Sequence, residues 1–164
     1  MSSNMYMKFD EVTGEATDTN HDKWIEILSW NHGFAQPASP VRSSQGSTIE
    51  RASHQDFNFT KYLDSSTDDL IGACWKGQQY QKVTLECFKS DGANEPIKYL
   101  EVDMEDVIVA NFGISGGPGE LPVENISLSY SKVKYIYDPK DKEDGSLSDG
   151  VQPIEIDLKT NVVS

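Results

Sequence analysis

Residues 124–137 carry the pattern that most restricts the fold. Ile126, Leu128 and Tyr130 fall on even positions, whereas Val133, Tyr135 and Tyr137 fall on odd ones. Side chains alternate across a strand, so both sets can face one core only if an extra residue is inserted between them. The spacing therefore predicts a β-bulge at Ser131 or Lys132. Bulges bend a strand and increase its twist, which favours a barrel over a flat sheet.

Other segments repeat the two-residue period. Residues 24–30 are rich in aromatic and β-branched side chains, with Leu28 and Trp30 on one face and Ser29 and Asn31 on the other. Val83, Leu85 and Cys87 alternate with polar neighbours. Residues 98–110 read as one long strand or two abutting ones, irregular at 103–106. Ile154, Ile156 and Leu158 mark a half-buried final strand. A single helix is expected between Asp64 and Gly77. Serine caps and early acids open it, Leu70, Ile71, Cys74 and Trp75 share a face, and Gly77 stops it. Gly72 costs that helix about 1 kcal/mol relative to Ala, recovered if it packs closely on a strand. The fold class is all-β with one short helix: a small closed or nearly closed β-barrel with a flanking α-helix.

The 164 residues suit a single domain, 1–164. With 27 acids against 14 bases the net charge is −13, which argues against nucleic acid or an anionic membrane as partner. No apolar run reaches 18 residues, so no spanning helix and no membrane insertion is expected. The start lacks a basic region followed by an apolar stretch, so no signal peptide is expected. Two cysteines make no disulfide framework, in keeping with a soluble protein made in a reducing compartment. Residues 36–54 form a long Ser, Gln, Pro and Gly loop of the kind that usually binds something. Residues 138–150 form a polar, exposed one.

No active site assembles. Gly113-Ile114-Ser115-Gly116-Gly117 spells a nucleophile elbow, but that chemistry needs a helix after the serine, and glycines and Pro118 follow instead. The same glycines fit no phosphate loop. In the run 138–145 an EF-hand register places Lys140 and Lys142 where carboxylates belong. His21, His32 and His54 lack metal-ligand spacing and read as surface imidazoles; Cys74 and Cys87 read as buried thiols. No cofactor and no metal is expected. Asn58-Phe59-Thr60 and Asn125-Ile126-Ser127 fit the glycosylation sequon but lie in predicted strands. Trp30 and Trp75 read as core packing.

The order of the segments resembles the Hcp (haemolysin-coregulated protein) family. The likeness runs through residues 5–15, His21, 25–30, the polar loop and the stretch 57–67. It continues through the helix, 124–130 and 133–137. It implies a barrel that assembles into homohexameric rings, which stack into the inner tube of the type VI secretion system. It also implies a structural rather than enzymatic role, effector proteins held in the lumen, and contacts with spike, sheath and baseplate proteins. Export from the bacterial cytoplasm through the apparatus itself would need no signal peptide. The loop 36–54, with Arg42, Gln45, Glu50 and Arg51, is assigned to stacking, and Ser29 and Asn31 to the lumen. Because each ring multiplies the −13 charge, stacking is expected to strengthen with salt. The competing readings are a monomeric β-sandwich module binding, for instance, carbohydrate through an exposed tryptophan, a serine hydrolase through Ser115, and a phage-type tail tube protein.

Overall fold

The computed structural model describes residues 4–36, 52–89, 96–138 and 152–164. Its strands are β1 (Met5–Phe9), β2 (Ile25–Glu26), β3 (Ser29–Asn31), β4 (Phe34–Ala35), β5 (Ser53–His54) and β6 (Phe57–Tyr62). The helix α1 (Thr67–Lys76) follows. After it come β7 (Gln79–Lys89), β8 (Ile97–Ser115), β9 (Val123–Ser129), β10 (Lys132–Tyr137), β11 (Ile154–Asp157) and β12 (Val162–Val163). Every pairing is antiparallel.

One path of strands runs β12-β11-β10-β8-β7-β1-β2; a second leaves β8 through β9 and β6 to β3. The 19-residue β8 belongs to both, since its first half pairs with β7 and β10 and its second half with β9. The two paths approach again at residues 27 and 28. Ile27 N–H donates to the Met5 carbonyl at 3.2 Å, and Leu28 N–H to the Thr60 carbonyl at 2.7 Å. Single bonds rather than a ladder join the ends, so the barrel is nearly closed. Met7, Phe9, Ile25, Ile27, Phe57, Phe59, Leu85, Met104, Ile126 and Leu128 fill it.

The expected bulge at Ser131 or Lys132 is not formed: Ser129 faces Ile108 and Lys132 faces Glu105, two residues against two, so no residue is inserted, and the parity switch is instead a break between β9 and β10 at Tyr130 and Ser131. Leu128, Tyr130 and Val133 are all buried across it. Opposite the break, Asp106 adopts a left-handed conformation with φ 53°. Ser131 Oγ donates to Asp106 Oδ2 at 2.8 Å, and Ser131 N–H to the Glu105 carbonyl at 3.1 Å. Residues 98–110 are thus part of one long strand, bent at Asp106.

Several expectations are corrected. Residues 24–30 are two short strands, because the chain changes partner from β1 to β6 at 27–28. Buried parity switches there from Ile25 and Ile27 to Trp30, which stacks on Phe57 at 5.6 Å and leaves Leu28 39% exposed. In α1 the buried stripe is Thr67, Leu70 and Ala73, so Trp75, about 200° round from Ala73 at 100° per residue, is 84% exposed. Nothing lies within 4 Å of a Cβ built on Gly72, so no close packing requires it. The helix start is organised by Asp64, whose carboxylate accepts from Ser66 N–H at 2.9 Å, and not by a serine side chain. The glycines of 113–119 read as one flexible turn, but Gly113 and Ser115 belong to β8 and the turn comes later, with Gly119 at φ 77°. β11 is not the final strand, since β12 follows it, and Ile154 at its start is exposed. Of the two long loops, residues 37–51 and 139–150 lie outside the described residues, His54 is in β5, and Asp138 is buried.

The histidines are not surface groups. His21 is buried against Tyr6, Trp24 and Phe88 and bonded to the carboxylates of Asp18 at 2.6 Å and Glu86 at 2.7 Å. Gly14 makes this loop possible: any Cβ there would stand 2.4 Å from the Trp24 carbonyl oxygen. His32 and His54 join a cluster of tyrosines described below.

Candidate functional site: an uncharged sheet face

Four segments, β3, β6, β9 and the second half of β8, make one sheet whose inner face carries Trp30, Phe57, Phe59, Ile126 and Leu128. The register aligns the opposite face in rows. Ser29, Thr60, Asn125 and Gly113 stand side by side, as do Asn31, Asn58, Ser127 and Asn111. Tyr62, Val123 and Ser115 make a third row. Not one of these positions is charged, in a chain where 25% of residues are.

Side chains on the face bond to each other. Ser29 and Thr60 hydroxyls are 2.7 Å apart. Asn58 Nδ2 donates to Asn31 Oδ1 at 3.1 Å, and Ser127 Oγ donates to Asn58 Oδ1 at 2.5 Å. Such cross-strand pairs fix side-chain direction as well as stabilising the sheet. The charges in these strands are turned inward. Lys61 and Glu124, both fully buried, form an ion pair of 2.5 Å, completed by Asp64 at 2.8 Å from Lys61 Nζ and by Thr67 Oγ1, which donates to Glu124 at 2.6 Å.

Both flanks of this sheet are open among the described residues. β3 pairs only with β6, and residues 111–115 of β8 pair only with β9. Unpaired backbone groups on two different strands are templates for adding a strand at either side.

The two ends of the sheet differ. Where β6 ends and β9 begins, Leu28, Tyr62, Leu63 and Leu121 line an apolar groove, each between 39% and 62% exposed, with Glu15, Glu26 and Asp64 at its rim. At the other end β4 and β5 form a two-stranded ribbon leading to residues 37–51. Ser29 and Asn31 lie exposed on the uncharged face. Arg42, Gln45, Glu50 and Arg51 lie outside the described residues.

Sequence reasoning passed over Asn58, Thr60, Asn125 and Ser127, although their signal was visible. The two apparent sequons are the period-2 trace of this face: an amide, a core residue, then a hydroxyl. Ser115 closes β8 opposite Val123, and the chain turns into β9 without a helix behind the serine.

A family model described as "Type VI secretion system effector, Hcp" matches residues 6–137. The chain belongs to the Hcp family. It is a subunit of the type VI secretion tube. Protein hcp1 of Pseudomonas aeruginosa is 32% identical over 163 residues, 99% of each chain. A second relative from that organism, named "Major exported protein", is 19% identical over 136 residues, 79% of this chain and 77% of its own. Among solved structures, a type six secretion system protein superposes with a TM-score of 0.87 at 27% identity, covering 99% of this chain and 100% of that one. Hcp1 from Salmonella typhimurium gives 0.76 at 25%, over 100% of both chains. Hcp proteins are structural and secreted, and they assemble with other type VI components.

Proposed function

We propose that this Hcp protein forms a homohexameric ring with the uncharged face turned to the lumen. The observation that carries the reading is that face, bounded by two open and different strand edges. Joining β3 of one copy to the second half of β8 in the next is a heterologous contact, which closes when the rotation fits. Six copies of four strands put 24 strands around the lumen, and barrel diameter grows with strand number, so a channel remains. Ser29 and Asn31 then line it with their row partners, and effector proteins travel there. The role is structural rather than enzymatic. The rings work with spike, sheath and baseplate proteins and leave the cytoplasm through the apparatus.

Rings stack head to tail. The β4–β5 ribbon, whose strands residues 37–51 connect, lies at one end of the sheet, and the apolar groove with its carboxylates lies at the other; Arg42, Gln45, Glu50 and Arg51 are assigned to the contact. Two arginines against the exposed Glu15 and Glu26 give that contact its direction. They offset only part of the −13 per subunit, so tubes lengthen as salt rises; tubes that dissolve in salt would overturn this and point to ion pairs as the dominant force.

Light scattering after size exclusion tests the ring. A mass of about 110 kDa, six times 18.3 kDa, is expected. A stable monomer near 18.3 kDa at every concentration would overturn the ring.

A further inference from the structure

Two legs of chain make up the β4–β5 ribbon, one entering it through His32 and β4, the other leaving it through β5. Each leg holds a histidine, and both histidines reach one hydroxyl. His32 Nε2 is 2.7 Å from Tyr130 Oη, and His54 Nδ1 is 2.8 Å from the same oxygen. Tyr130 is 8% exposed and stands at the corner between β9 and β10. His32 Nδ1 is also 2.5 Å from Tyr135 Oη. Phe34 packs edge-on against both imidazoles, at 4.5 and 4.9 Å between ring centres.

The groups match as a relay. A phenol hydroxyl donates once and accepts, and a neutral imidazole donates once and accepts once. The series Tyr135, His32, Tyr130, His54 is therefore satisfied when polarised in either direction, provided both imidazoles are neutral. Burial supplies that condition: it lowers His32 to about 4 and lowers His54 as well. The ribbon needs such an anchor. Among the described residues it consists of two residue pairs, Phe34 with His54 and Ala35 with Ser53, plus one bond from Gln55 N–H to the Gly33 carbonyl at 3.0 Å. An isolated two-stranded hairpin is marginally stable at best in water.

We propose that Tyr130 is the positioning residue of the β4–β5 ribbon: its hydroxyl ties both legs to the barrel corner and so fixes how the ribbon, from which the stacking segment springs, sits on the barrel. The proposal rests on the reading that this segment bridges rings, and the experiment separates the two.

Tyr130→Phe keeps the ring and removes only the shared oxygen; Tyr135→Phe removes a contact made by His32 alone. Amide exchange by NMR reads the ribbon at Gln55 and the barrel at Ser127 and Leu128, while light scattering reads rings and tubes. Tyr130→Phe is expected to speed exchange at Gln55 by about tenfold or more. The amides of Ser127 and Leu128 and the ring mass stay unchanged, and tubes require about tenfold more protein. Tyr135→Phe is expected to change Gln55 by less than about threefold. Unchanged exchange at Gln55 in Tyr130→Phe, or an equal rise in Tyr135→Phe, overturns the proposal. A rise at Gln55 with unaltered tube formation supports the anchor and removes the stacking role of residues 37–51. If Tyr130→Phe fails to fold, His54→Ala, which frees one leg only, must still speed exchange at Gln55, or the anchor is overturned.

Discussion

The two halves of β8 present opposite surfaces. Before Asp106 its outward residues are Glu101, in a row with Glu86 and Ile136, Asp103, in a row with Thr84 and Lys134, and Glu105, in a row with Lys82 and Lys132. After it they are Asn111, Gly113 and Ser115, in rows with Asn125, Ser127 and Val123. One continuous strand thus serves a charged face, half-buried at Glu101 and Asp103 and exposed at Glu105, and a face with no charge at all. The difference teaches where this acidic chain tolerates its own field. A carboxylate facing bulk water is screened, whereas one repeated around a ring faces its own copies. Polar but neutral Ser, Thr and Asn side chains keep a surface wet without adding to that repulsion.

The largest expected effect breaks the uncharged sheet from below. Lys61→Met strands the Glu124 carboxylate in the core, and urea denaturation should register a loss of about 3–5 kcal/mol. Removing both charges together, as Lys61→Met with Glu124→Leu, should cost less than that single change. Next comes charging the face itself. Asn58→Asp removes the donor to Asn31 and sets like charges around the ring, so half-assembly at low salt should need about tenfold more protein, with recovery in high salt. The matched change on the charged side, Glu105→Gln, should leave assembly unaltered; an equal effect from both would erase the distinction between the faces.

Smaller still is Gly72→Ala, expected to add up to about 1 kcal/mol to thermal or chemical stability, because the position is helical and open. A loss instead of a gain would mean that something covers this face of α1 in the ring. The smallest effect is a pH slope on the charged half. Burial, reinforced by a hydrogen bond with Glu101, raises Asp103 to about 6. Above its unfolded value near 3.8, the folded state holds this proton more tightly, so the contribution of Asp103 to stability declines as pH rises towards 6. Asp103→Asn should therefore gain on the native protein between about pH 4 and 6 and keep that gain at pH 7, as thermal melts across that range would record.

Much of this was legible in the chain. The parity switch at residues 130–133 announced a bent strand because alternation is a local property. The same rule applied to Ile25, Ile27 and Trp30 would have revealed the second switch; Leu28 concealed it by resembling a core residue. The uncharged face was written in the two sequons, where position decides orientation. Trp75 was misplaced for a different reason. Four apolar residues at helical spacing define a stripe, but the helix turned toward Leu70 and Ala73, and sequence contains no reference for that rotation.

The sequence by itself determined the strands, the helix, the acidic balance and the residue types that share a strand face, all set by neighbours a few positions apart. Tertiary structure alone decided which faces became one surface, which edges stayed open, and that His32 and His54 meet Tyr130 across 98 and 76 residues of chain. The reason is physical. Alternation fixes a side chain relative to its own backbone, whereas strand order and register are fixed only when the whole barrel buries its core at once.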